Sequence, residues 1–206
     1  MPKRARKTRE TSDPIEAALA LAAERSWREV TLEMVAERAG LTLAALFEAY
    51  SSKAALLAGF SRRIDSQVMA ARDQALADRP AHERLFDVLM RRFDALAPHK
   101  EALRSILRGS LGDAEAGLVG ACLLRRSMAA MLEAAGISSS GPCGALRRKG
   151  LALVYLDAWR VWLSDDSPDM ARTMKALDGH LRRIDRLIRL VRGRARPEPS
   201  DAPRPA

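Results

Sequence analysis

A chain of 206 residues with a hydrophobic share of 48% can bury one substantial core or two small ones, and its net charge of +9 suits a polyanionic partner. Ala, Leu and Arg dominate and β-branched residues are sparse, so an all-α protein is expected. Two cysteines, Cys122 and Cys143, form neither a metal-binding spacing nor a disulfide framework, and no secretory or membrane-length apolar run occurs, which favours a cytoplasmic protein without stable membrane insertion.

Residues 1–12 hold Lys3, Arg4, Arg6, Lys7 and Arg9 against Glu10, a net +4. They read as a disordered basic arm, either ordering on DNA or serving as a solubilising tail. From Pro14 to Arg25 the apolar positions Ile15, Ala18, Leu19 and Ala22 mark one buried helix face, and Trp27 and Val30 fill the gap that follows. Thr31 then caps a short helix bearing Leu32, Val35, Ala36 and Ala39. Gly40 ends it, and Thr42 caps a second short helix with Leu43, Leu46, Phe47 and Tyr50. Two compact helices about so short a turn have the spacing of a helix-turn-helix, whose second helix enters a DNA major groove while the first crosses the phosphates. Charge in this stretch runs the other way. Residues 13–53 hold Arg25, Arg28, Arg38 and Lys53 against Asp13, Glu16, Glu24, Glu29, Glu33, Glu37 and Glu48, a net −3.

Ser52 caps the next helix, with Lys53 in its first turn, and the apolar series Leu56, Leu57, Phe60, Ile64 and Val68 carries it to about Leu76. Beyond Pro80 a helix from Ala81 carries Leu85, Phe86, Leu89, Met90, Phe93 and Leu96; Pro98 interrupts before a shorter one over Lys100–Arg108. A longer helix is expected over Ala114–Ala135, then a polar, mobile connection from Ile137 to Gly144 containing Cys143, then a helix over Ala145–Leu163 that is apolar around much of its circumference. Met170, Met174, Leu177, Leu181, Ile184, Ile188 and Val191 recur at alternating spacings of four and three, a heptad pattern. With Leu151 they are the expected dimer interface, an intermolecular four-helix bundle made by the last two helices of each subunit. Proline and charge leave residues 193–206 without a packable face, and a disordered tail is expected.

Ala36-Glu37-Arg38-Ala39-Gly40-Leu41-Thr42, followed by Leu46-Phe47, Tyr50, Ser52-Lys53 and Leu56-Leu57, resembles the N-terminal domain of the TetR family of bacterial transcriptional regulators. The resemblance implies an all-α, TetR-like fold: a three-helix helix-turn-helix head over residues 13–57 and a helical ligand-binding and dimerisation domain over 58–192. It further implies a homodimeric repressor that binds double-stranded DNA at a palindromic operator and is relieved by a small apolar ligand. The residues expected at DNA are Arg28, Thr31 and Lys53 on phosphates and, on the second helix, Thr42, Ala44, Ala45, Glu48 and Tyr50. Ala44 and Ala45 suit thymine methyls and Glu48 suits cytosine N4. The match departs from the family where a basic residue, a glycine and a threonine often stand in succession, here Leu43, Ala44 and Ala45, and where an aromatic hydroxyl often reaches a phosphate, here Phe47. A ligand cavity is expected among Phe60, Phe86, Met90, Phe93, Leu107, Met128, Tyr155 and Trp159.

Ala97-Pro98-His99-Lys100-Glu101-Ala102-Leu103 and Trp162-Leu163-Ser164-Asp165-Asp166-Ser167-Pro168-Asp169, with Leu177-Asp178 and Leu181-Arg182-Arg183-Ile184, resemble the C-terminal domain of the ubiquinone-biosynthesis accessory proteins that share this fold. That resemblance implies the alternative of a lipid- or isoprenoid-binding protein without sequence-specific DNA binding; Asp165-Asp166 also reads simply as a turn, with Pro168 opening the last helix. His82, His99 and His180 are scattered without ligand spacing and no Gly-rich phosphate loop is present, so neither catalysis nor a cofactor is expected.

Overall fold

The computed structural model describes residues 12–71 and 78–194, with side chains to residue 186. The basic arm, the expected continuation of the fourth helix towards Leu76, the side chains of Ile188 and Val191 and the tail beyond residue 194 lie outside the described residues.

Helix α1 (Pro14–Glu24) starts where Asp13 accepts a hydrogen bond from the Ile15 amide at 2.9 Å and Pro14 supplies a pre-set first-turn φ. α2 (Leu32–Ala39) is capped by Thr31, whose hydroxyl accepts from the Met34 amide at 3.3 Å. It ends on Gly40 at φ 71°, a left-handed position that glycine adopts without a Cβ penalty. The Leu41 amide reaches the Ala36 carbonyl at 2.9 Å and the Gly40 amide the Glu37 carbonyl at 3.2 Å, the paired bonds of a Schellman stop. α3 (Leu43–Ala49) follows from Thr42, whose hydroxyl accepts from the Ala45 amide at 3.2 Å. α4 (Lys53–Ala70) opens on Ser52, which accepts from the Ala55 amide at 3.1 Å.

Then come α5 (Ala81–Leu96), a 3₁₀ turn (Ala97–His99) at Pro98, α6 (Lys100–Ser110), α7 (Ala114–Ala134), α8 (Gly141–Leu163) and α9 (Ala171–Arg194). α1 packs on α2, α4 and α6, while α4, α5, α7, α8 and α9 pack on one another as a second body. The core is continuous through both, from Ile15, Val35 and Leu46 to Phe93, Met128, Trp162 and Leu177. Among the described residues no helix is long and apolar enough to cross a membrane.

Several expectations are corrected. The connection over Ile137–Gly144 is shorter than its polar composition suggests, because α8 starts at Gly141 with Pro142 in its first turn, so Cys143 is an exposed helical residue. Gly144 is buried there against the Ser139 backbone, where a Cβ would lie 2.2 Å from the Ser139 carbonyl. Pro168 does not open the last helix; it stands in the turn before it, and Met170 precedes α9 at φ 51°.

The heptad seam is the largest correction. Leu177 is fully buried and Leu181 and Leu151 nearly so within a single chain, where α9 packs on α5 and α8. Ile184 and Met170 pack partly against the same core, Met174 is half-buried, and Ile188 is outside the described side chains. A heptad repeat requires a partner helix but does not say whose, and here the partners belong to the same chain.

Candidate nucleic-acid interface

α3 is held by one deeply buried residue, Leu46, with Leu41 and Tyr50 half-buried at its two ends. The rest of it faces outwards: Thr42, Ala44, Ala45 and Glu48 are exposed, as are Leu43 (48%) and Phe47 (55%). Tyr50 differs from the other residues expected at DNA. Its ring lies over Gly59 of α4, where a Cβ would sit 2.9 Å from Tyr50 Cε1 and 3.0 Å from Ile15 Cδ1, so the tyrosine helps seat α3 on α4.

The two flanking cations are engaged with backbone. Lys53 Nζ donates to the carbonyls of Trp27 at 2.6 Å and Val30 at 2.9 Å and lies 4.6 Å from the centre of the Trp27 ring. Burial pulls its pKa below the ordinary lysine value. Arg28 Nε donates to the Gly109 carbonyl at 2.9 Å and its Nη2 to the Leu111 carbonyl at 2.7 Å, closing off the C-terminal end of α6. Thr31 is exposed with its hydroxyl in the cap of α2. Three of the head's acids are paired: Glu24 takes a two-pronged contact from Arg38, both arms 2.5 Å, and Asp13 and Glu16 meet Arg63 of α4. The Arg38 hydrogen bonds hold the Glu24 carboxyl below its usual range. Glu33, Glu37 and Glu48 face outwards and make no ion pair with any described residue.

Ser105 and the carbonyl partners of Arg28 carried no signal in the sequence. Ser105 Oγ accepts the Trp27 amide at 3.1 Å and donates to the Arg25 carbonyl at 3.0 Å, so the loop between α1 and α2 is stitched to α6 on one side and to Lys53 on the other. At its opposite end α6 is tied to the turn before α9. Lys100 Nζ donates to the Asp165 carbonyl at 2.5 Å and Arg104 Nε to the Leu163 carbonyl at 2.8 Å, with Asp166 3.0 Å from Arg104 Nη2. Asp165 organises this turn: burial alone would raise its carboxyl, but hydrogen bonds from Ser167 Oγ and from the Thr173 hydroxyl and amide outweigh that and hold it far below the usual carboxylate range.

In the second body the expected ligand residues pack on one another. Phe93 stacks on Tyr155 at 5.2 Å between ring centres, Tyr155 meets Trp159 at 5.7 Å, and Phe60 and Met128 are buried while Phe86 and Met90 are partly so. Leu107 does not belong with them; on α6 it is 44% exposed and points away. A buried polar network not foreseen from the sequence crosses this core. Arg92 of α5 pairs with Asp65 of α4 and donates to Tyr155 of α8 at 3.2 Å and Ser127 of α7 at 3.1 Å, while Ser127 donates to Asp65 at 2.8 Å and lies 3.0 Å from Ser61. Burial pushes the Tyr155 hydroxyl pKa upward. The signal was there: Arg92 falls on the apolar stripe of Val88, Leu89, Phe93 and Leu96, where a charge needs a partner.

Residues 15–59 match the profile of the family described as bacterial regulatory proteins, tetR family. No curated protein matches the chain. Among solved structures, a TetR transcriptional regulator from Nitrosomonas europaea superposes with a TM-score of 0.68 at 24% identity, covering 82% of this chain and 94% of its own. One from Rhodococcus sp. RHA1 gives 0.58 at 22%, covering 82% and 93%, and one from Streptomyces coelicolor 0.55 at 20%, covering 92% and 90%. The chain therefore has the all-α fold of the TetR-family transcriptional regulators, with a helix-turn-helix formed by its N-terminal helices and a helical C-terminal domain.

Proposed function

We propose that this chain is a transcriptional repressor, a homodimer that holds a palindromic operator with two copies of α3 and releases it when a small apolar ligand enters the C-terminal domain. The observation that carries the reading is α3 itself: a short helix seated by Leu46 and Tyr50, set by a Schellman turn at a fixed angle to α2, with nearly all its other side chains outwards. Dimerisation is supported by α8, where Leu146 (72%), Leu153 (71%) and Leu156 (39%) form an exposed apolar row that none of the described residues covers. Asp157 on the same helix joins α9 through His180 at 2.5 Å, so α8 and α9 would present one firm surface to a second copy. Ligand would act by favouring one spacing of the two heads over another, and α6, bonded to the α8–α9 corner at one end and to the head at the other, is the route.

The test is binding of the full chain, at physiological salt, to the DNA flanking its own coding region and to scrambled duplex. A preference of order 10³-fold for one duplex is the expected result. Equal, strongly salt-dependent binding to both would assign the affinity to the basic arm and argue against a regulator. No preference, together with an apolar lipid that co-purifies, would favour the accessory-protein alternative.

A further inference from the structure

α3 presents neither a cation nor a side-chain amide to DNA, and this constrains what it reads. By the helical period, Ala44 and Glu48 stand opposite the buried Leu46, with Leu43 and Phe47 on one flank and Ala45 on the other. Bidentate recognition of guanine needs Arg or Lys, and of adenine Asn or Gln; the outward face of α3 has none of these. Arg28 and Lys53, the basic side chains of the head expected at phosphates, are bonded to backbone carbonyls of the head and α6. What remains is an apolar surface of four residues, Leu43, Ala44, Ala45 and Phe47, one acceptor in Glu48, and the Thr42 hydroxyl at the start of the helix, whose oxygen is already engaged by the Ala45 amide. In a major groove the matching features are the C5 methyl of thymine for the apolar residues and the N4 amino group of cytosine for the carboxylate.

We infer that α3 reads its half-site chiefly by apolar contact with thymine methyl groups, with Glu48 selecting a single cytosine among them. The inference rests on the regulator reading and names the base chemistry that reading would use. Discrimination built this way is short-ranged: a methyl either fills the space beside Ala44, Ala45, Leu43 or Phe47 or leaves it open. Glu48 sharpens it, because a carboxylate that meets no amino donor in the groove is left close to DNA without a partner.

The experiment selects tight binders for the full chain from random duplexes, then replaces the thymines of the enriched half-sites one at a time with deoxyuracil, which removes only the methyl. Enriched half-sites should carry clustered thymines, and each contacted thymine should lose roughly four-fold in affinity on replacement, the value of about one buried methylene. Phe47→Ala, at a side chain more than half exposed, should keep the fold and bring the uracil penalty at its own position close to nothing, a result that altered DNA flexibility would not produce. Glu48→Ala should relax selection at the cytosine while leaving the uracil penalties in place. Strong enrichment of sites that bind equally well with uracil throughout would overturn the inference and leave the regulator reading standing. Failure to enrich any sequence would overturn both.

Discussion

Lys53 uses two of its three N–H groups on the carbonyls of Trp27 and Val30, so the residue expected to meet a phosphate first closes the loop between α1 and α2. Lys53→Ala removes both bonds from a half-buried site, and a loss of about 1 kcal/mol in urea unfolding is expected in addition to any change in DNA affinity. Asp165 lends itself to a pH experiment. Its carboxyl is depressed in the folded chain by Ser167 and Thr173, so its stabilisation is complete above the unfolded carboxyl value near ~3.9 and is lost as pH falls below it towards the folded one. Asp165→Asn should lower stability at pH 7 by about 1–3 kcal/mol, and the difference from wild type should shrink in unfolding curves taken between about pH 5 and pH 2.

Among the elements, α6 has the most joints for its length. Removing the Ser105 hydroxyl leaves the Trp27 amide without its acceptor, so Ser105→Ala should speed hydrogen exchange at Trp27 by about 10-fold or more while amides in the middle of α4 keep their protection; uniform acceleration would mean a global loss of stability instead. The helices themselves were largely legible in the sequence. Thr31, Gly40, Thr42 and Ser52 each mark a boundary by local chemistry, and the structure bears out all four. The start of α8 was not legible, because Ser138, Ser139 and Ser140 carry loop composition up to Gly141, where the helix begins with Pro142 in its first turn. Nor was the destination of long side chains. Arg28 and Lys53 are expected at phosphates, but a guanidinium or ammonium reaches several carbonyls from one backbone position: the C-terminal end of α6 takes Arg28, and the carbonyls of Trp27 and Val30 in the α1–α2 loop take Lys53. Leu177 and Leu181 misled for a related reason: spacing identifies a buried face and is silent on whether the cover is the chain's own.

At the scale of the molecule, the outward face of α3 and the row Leu146, Leu153 and Leu156 on α8 are among the apolar surfaces that the described residues leave exposed. If the chain dimerises as proposed, Leu153→Arg, at a side chain 71% exposed, should leave helix content unchanged and shift the sedimenting mass from dimer to monomer at micromolar concentration; a dimer mass that the substitution leaves unchanged would place the interface elsewhere. On the same proposal the variant should lose most of its operator affinity, because one head then holds one half-site.

The charge of the head has a consequence in time. The basic charge lies outside the helix-turn-helix, with +4 in the first twelve residues, whereas residues 13–53 sum to −3 and α3 itself carries only Glu48. On the proposed reading, attraction to any duplex is the work of basic residues outside the motif, while the outward face of α3 is repelled by phosphate until a matching groove compensates. Encounters with unrelated sequence would be frequent and brief, and residence would be long only on the operator. Such a protein would discriminate in its departure rate from DNA, and its search would be fast because its mistakes do not hold it.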